Sequence, residues 1–180
     1  MTVPHSTNAE DGRSAAYYRG QTHYRRTFRA NPARPAFLQF EGAAQAASVY
    51  VNGTLARTHK GGYTPFIVPL TDMLQRGENL VEVVCDNSVD LEMIPISSDF
   101  NKNNGLHNPV SLLTFGRQYL CPAAYGPDRL HLTQTAVSAE RAVARLEARI
   151  VNAAPRAKTV RATVLLRDAA GRVVWRERQR

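Results

Sequence analysis

The chain has 180 residues, 43% apolar and 21% charged, the balance of a folded domain with a sizeable core and not of a disordered or collagen-like chain. No apolar run reaches the roughly 18 residues a membrane-spanning helix needs, and Met1 to Glu10 lacks the basic-then-apolar order of a secretory signal, so no membrane partner is expected. The formal net charge of +8 is unevenly placed: residues 1–128 hold 11 Lys and Arg against 11 Asp and Glu, while residues 129–180 hold 12 against 4. Arginines interleaved with apolar residues describe the wet face of a sheet, so no nucleic-acid partner is expected either.

In chain order, Thr22 to Phe28 alternates β-forming residues and predicts a first strand. Phe37 to Phe40 follows the turn-prone run Asn31-Pro32-Ala33-Arg34-Pro35. Ser48 to Val51 runs straight into Asn52-Gly53, a pair suited to the positive φ angles of a type I′ hairpin turn. Phe66 to Leu70 predicts a short strand that Pro69 pushes to a sheet edge. Thr71 is placed to cap one helical turn over Asp72 to Gln75, ended by Gly77. Leu80 to Cys85 carries one charge, Glu82, and reads as a central strand buried for most of its length.

Asp86 to Asn108 is long, rich in Asn, Asp and Ser, and lacks sustained periodicity, which marks it as a functional loop candidate. Val110 to Phe115 returns to strand character. The turn-rich run Cys121 to Pro127 precedes the charge shift and places a domain boundary near residue 128, dividing the chain into residues 1–128 and 129–180. Beyond it, Leu130 to Thr133 predicts a strand, whereas Ser138 to Val151 fits both a Ser-capped helix and an alternating strand. Val160 to Leu166 is a strand, Asp168 to Gly171 a turn, and Val173 to Trp175 the start of another strand.

Cys85 and Cys121 lie 36 positions apart with no CxxC partner, so two unpaired thiols are expected. The five histidines show no HxH or HExxH spacing, so no metal site is predicted, and no P-loop, GxGxxG or Ser-His-Asp order calls for another enzyme class or a cofactor. Aromatic residues at strand spacing, among them Tyr24, Tyr50 and Tyr63, read as sandwich core.

Taken in order, PHSTNAEDG, YYRGQTHYRRTF, VYVNGTLARTHKGGYTPFIVPLT, GENLVEVVCDN and SSDFNKNNGLHNPVSLL follow the pattern of one family's amino-terminal domain. From Pro4 to Leu113 the chain resembles glycoside hydrolase family 2, which includes β-galactosidases, β-glucuronidases and β-mannosidases. The resemblance implies an all-β fold: a jelly-roll sugar-binding sandwich followed by an incomplete immunoglobulin-like sandwich. It tips Ser138 to Val151 toward strand. It also implies that the chain begins at the family's PH motif, without the segment that usually supplies the first strand or strands.

Members of that family are retaining glycosidases with two catalytic carboxyls about 5 to 5.5 Å apart. Both belong to a (β/α)₈ barrel that follows the sandwiches, so no catalytic residue is assigned here and no hydrolysis is expected from this chain alone. The resemblance carries over a sugar-contacting Asp in a loop motif of the DF…G type, matched by Asp99, whose carboxylate suits two adjacent hydroxyls. Asn87, after the preceding strand, matches a less specific position lining the same region. Where the family commonly ends its motif in Arg, this chain has Asn104-Gly105-Leu106-His107-Asn108. Asn108 lacks a guanidinium, and Asn104 replaces a Gly whose left-handed backbone Asn tolerates. The expected partners are a β-galactoside or β-glucuronide and the catalytic barrel. A free-standing carbohydrate-binding module and a non-functional truncation product are the alternatives.

Overall fold

A computed structural model describes residues 2–8, 18–93, 103–122 and 130–179. Thirteen strands are assigned among them and no helix. β1 (Gln21–Arg29), β6 (Glu78–Asp86), β3 (Ala46–Val51) and β4 (Thr54–Lys60) form an antiparallel sheet in the order β1-β6-β3-β4. β5 (Phe66–Pro69), β2 (Ala36–Phe40) and β7 (Val110–Thr114) form a second sheet in the order β5-β2-β7. The expected central strand is β6, between β1 and β3, and Pro69 ends an edge strand, where its missing N–H costs no ladder bond.

The two sheets close on one core because their strands alternate. Val49 and Val51 of β3, Val83 and Cys85 of β6, Leu38 and Phe40 of β2, and Phe66 and Val68 of β5 are buried in a single cluster. Phe40 and Phe66 stack with ring centres 4.6 Å apart. Tyr24 and Phe28 of β1 pack against the same cluster. At Asn52-Gly53 the φ angles are 50° and 80°, as the hairpin turn requires.

The helical turn over Asp72 to Gln75 is a correction: a turn over Thr71 to Met73 gives way to irregular backbone at Leu74 and Gln75, with no helix. The Leu70 carbonyl accepts from the Met73 and Leu74 N–H groups, and buried Asn79 then intervenes, accepting from Gln75 N–H and donating back to its carbonyl. A side chain that satisfies those groups locally competes with helix propagation.

The remaining strands form three two-stranded ladders. β8 (Gln118–Leu120) pairs with β11 (Ile150–Asn152), β9 (Leu130–Val137) with β10 (Ala142–Ala148), and β12 (Ala162–Arg167) with β13 (Val173–Gln179). The Ser138 to Val151 segment is therefore strand, as the resemblance implies and as periodicity alone left open. β8, absent from the sequence reading, lies before the expected boundary yet pairs beyond it. Its Tyr119 stacks on Phe115, and both rings meet Phe37 of the first sandwich. The architecture is all-β, a jelly-roll sandwich followed by ladders of a second, immunoglobulin-like sandwich.

Candidate functional site

Antiparallel pairing brings one set of strand ends together. Gln21 at the start of β1 faces Asp86 at the end of β6, Ala46 at the start of β3 faces the same Asp86, and Lys60 at the end of β4 faces Ala46. In the other sheet Phe40 faces both Phe66 and Val110. The connection through 41–45 joins the two sets: Gln45 N–H donates to Asp86 O, Ala44 and Gly105 bridge reciprocally, and Glu41 N–H donates to Pro109 O. One rim of the sandwich thus gathers residues 5–8, 18–20, 87–93 and 103–109. Those are the loop residues that bear the sequence motifs.

Short polar side chains tie this rim together. Asn87 is 1% exposed. Its Oδ1 accepts from Gly20 N–H at 2.8 Å and its Nδ2 donates to Tyr18 O at 3.0 Å. Asn8 completes the clasp on Tyr18, donating to its carbonyl and accepting from its N–H. Asn104, fully buried, donates through Nδ2 to Gly20 O and Thr22 Oγ1. Its backbone meets the opposite strand of the knot, with Thr7 N–H donating to Asn104 O and Asn104 N–H to Ser6 Oγ. Ser6 Oγ also donates to Asn103 Oδ1.

Buried amides with both groups engaged hold backbone in place, because an unpaired buried polar atom costs about 1–3 kcal/mol. Asn104 Oδ1 and His107 Nε2 are buried atoms with no hydrogen-bond partner among the described residues. The left-handed residue in this motif is Gly105, with φ of 100°, and a Cβ there would collide with the Tyr24 hydroxyl. Asn104 is not among the positive-φ residues, so the reading of it as tolerated for that backbone is corrected: its amide side chain is what the rim uses. Asn108, in place of the family's Arg, donates to Glu41 O.

Asp99, the residue expected to contact sugar, lies outside the described residues. Both flanks of its segment are described. On one side Met93 N–H donates to Asp90 O, and Lys60 pairs with Asp90 at 2.9 Å and Glu92 at 2.6 Å. The Glu92 N–H, and then Lys60, hold the Asp90 carboxyl below its ordinary range. On the other side stand Asn103 and Asn104. Asn87 is positioned at the rim, with its amide spent on the Tyr18–Gly20 backbone.

Aromatic residues at the rim depart from the core reading. Tyr63 is 57% exposed, with its ring edge-on to His107 at 5.2 Å, and Tyr18 is exposed while its hydroxyl donates to Gln21 O. His59 stacks on Phe66 and bonds Gly61 O and Thr64 Oγ1, and burial lowers its pKa. Burial pushes the Cys85 thiol up to about 12, so it is an inert packing group. Cys85 and Cys121 are both free. Among the described residues no group of three or more His, Cys, Asp or Glu could hold a metal ion. Asn87 and Asn104 stood out in the sequence as motif positions and Asn8 did not, and their clasping role was hidden in all three because composition does not say which amide is buried.

A model of the family described as "Glycosyl hydrolases family 2, sugar binding domain" matches residues 5–116. The chain is 32% identical to a β-glucuronidase of Bacteroides fragilis over 148 residues, 79% of this chain and 21% of that protein. It is 29% identical to a β-galactosidase of Thermoanaerobacter pseudethanolicus over 136 residues, 72% of this chain and 18% of that one. Among solved structures, an FMN-binding β-glucuronidase from Facaelibacterium prausnitzii L2-6 superposes with a TM-score of 0.86 at 26% identity, covering 99% of this chain and 28% of that one. The chain therefore spans less than a third of the length of these relatives. With matched blocks running in order through the rim and both sheets of the first sandwich, this chain belongs to glycoside hydrolase family 2 and carries that family's sugar-binding domain.

Proposed function

We propose that this chain is the non-catalytic amino-terminal part of a family 2 glycoside hydrolase acting on β-glucuronides or β-galactosides, in which Asp99 contacts sugar hydroxyls in a pocket completed by a catalytic barrel. The reading divides it into a sugar-binding unit, residues 1–128, and the start of the following sandwich, residues 129–180. The observation that carries the reading is the knot of buried amides anchoring one flank of the Asp99 segment to the start of β1, with Lys60 anchoring the other. Asn87 acts in the site by positioning, since its amide is already engaged with backbone.

The test grafts residues 1–180 onto the remainder of the Bacteroides fragilis β-glucuronidase in place of its matched portion. The graft is expected to hydrolyse a chromogenic β-glucuronide or β-galactoside, and the chain alone neither. Hydrolysis by the chain alone, or a folded graft inactive on both sugars, overturns the reading. The exposed ring of Tyr63 beside His107 favours a second reading, a free-standing carbohydrate-binding module. Saturable millimolar or tighter binding of either glycoside by the chain alone, abolished by Asp99→Ala in titration calorimetry, selects it.

A further inference from the structure

Tyr24 and Phe28 both pack their rings against the core from β1. Phe28 shows that packing alone asks only for a ring at such a position, so the hydroxyl of Tyr24 has a use of its own. It reaches the rim. His5 Nδ1 stands 2.7 Å from it and the His5 carbonyl 3.5 Å. Burial raises the Tyr24 pKa, and a backbone bond from the Leu106 N–H opposes that rise. The hydroxyl oxygen therefore accepts from Leu106, and its single proton goes to the nearer acceptor, His5 Nδ1.

The same hydroxyl supports Gly105 from below. A Cβ on Gly105 would collide with it and come within 3.1 Å of His5 O. With φ of 100° and no side chain to intervene, the backbone of Gly105 rests directly on β1. Residues 5–7 run antiparallel beside 104–106, since His5 N–H donates to Leu106 O at 2.7 Å and Thr7 N–H to Asn104 O at 3.2 Å. Two segments from opposite ends of the first sandwich's sequence thus meet at one oxygen atom. On either side of the supported pair stand Asn104, whose amide bonds Thr22, and His107, whose ring meets Tyr63. A displacement of about 1 Å in such a support is enough to cost a site much of its rate.

We infer that Tyr24 and His5 are positioning residues of the sugar rim: the hydrogen bond between them holds the 104–107 stretch at the height the sugar requires, while the Tyr24 ring does the packing. Their role rests on the proposed sugar reading, to which it adds two residues that do not themselves touch sugar.

The test uses the graft of residues 1–180 onto the Bacteroides fragilis remainder, together with the 180-residue chain. Tyr24→Phe keeps the ring and removes the hydroxyl, and His5→Ala removes the acceptor. Each is expected to lower kcat/KM of the graft about tenfold with its circular dichroism spectrum unchanged. His5→Asn, whose Oδ1 can stand where Nδ1 stood, is expected to recover most of that loss. In a graft already carrying Asp99→Ala the same substitutions are expected to change kcat/KM by less than about twofold, because residues acting through one site do not add. In the chain alone, Tyr24→Phe is expected to speed hydrogen exchange of the Gly105 and Leu106 amides about tenfold or more. Equal losses with and without Asp99, full activity of the Tyr24→Phe graft, or unchanged exchange at Gly105 and Leu106 would each overturn the inference and leave the sugar reading standing. A folded parent graft inactive on both sugars would remove the sugar reading, and the inference with it.

Discussion

The strands between residues 21 and 114 and those between 118 and 179 alternate apolar and polar residues alike, yet only the first set buries what it alternates. Val49, Val51, Val83 and Phe40 are closed off by an opposing sheet. None of the described residues from 130 to 179 is buried, and Leu132, Leu166 and Trp175 stand about half exposed over a trough. Alternation specifies which face of a strand is apolar. Burial, and the stability that comes with it, needs a second layer to cover that face.

Stability measurements can break this comparison, and core truncation should show it most strongly. Phe40→Ala removes a fully buried ring stacked on Phe66 and is expected to cost about 3–5 kcal/mol in urea unfolding. Leu166→Ala, more than half exposed, is expected to cost less than about 1 kcal/mol. Equal losses would mean that the second region carries a core of its own.

A smaller effect concerns pH. Cys85 is held as a neutral thiol, with its pKa raised from 9.0 to about 12 by burial. The unfolded chain ionises this thiol first, so its contribution is complete below about pH 9 and is lost as pH rises toward 12. The stability difference between the parent chain and Cys85→Ala is expected to shift against the parent over that interval by a few kcal/mol at most, about 1.4 per pKa unit. A parallel profile for Cys85→Ala would show that the first core admits solvent.

The rim amides should give the next effect. Asn87→Ala leaves Gly20 N–H and Tyr18 O without their side-chain partner and is expected to cost about 1–3 kcal/mol, with faster hydrogen exchange at residues 18–20. Lys60→Ala breaks an exposed pair of ion bridges and is expected to leave the unfolding midpoint unmoved. A loss for Lys60→Ala as large as that for Asn87→Ala would mean that the ion pairs at Asp90 and Glu92 hold the rim as firmly as the buried amides do.

Much of the fold was legible because the signals were local. Asn52-Gly53 between alternating runs fixes a hairpin, and a run such as Leu80 to Cys85 belongs in mid-sheet. The Ser138 to Val151 segment was not legible from period alone, since Ala, Leu and Arg satisfy both patterns. β8 escaped notice because Gln118-Tyr119-Leu120 is too short to show a period and gains its identity from β11, thirty residues later. Helix-favouring residues after Thr71 lost to Asn79, whose amide is buried between turn and strand. At the rim the motif order indicated which loops matter, while the clasps made by Asn8, Asn87 and Asn104 depend on contacts across 10 to 84 positions. No window of sequence displays such contacts.

The central claim is that this rim serves a sugar through Asp99, and it is tested most directly by kcat/KM of the graft onto the Bacteroides fragilis remainder with and without Asp99→Ala. A loss of about 100-fold or more, with the melting temperature retained, is the expected result, because a carboxylate bonded to sugar hydroxyls carries about 3 kcal/mol in charged hydrogen bonds. An Asp99→Ala graft that hydrolyses as fast as its parent would contradict the account.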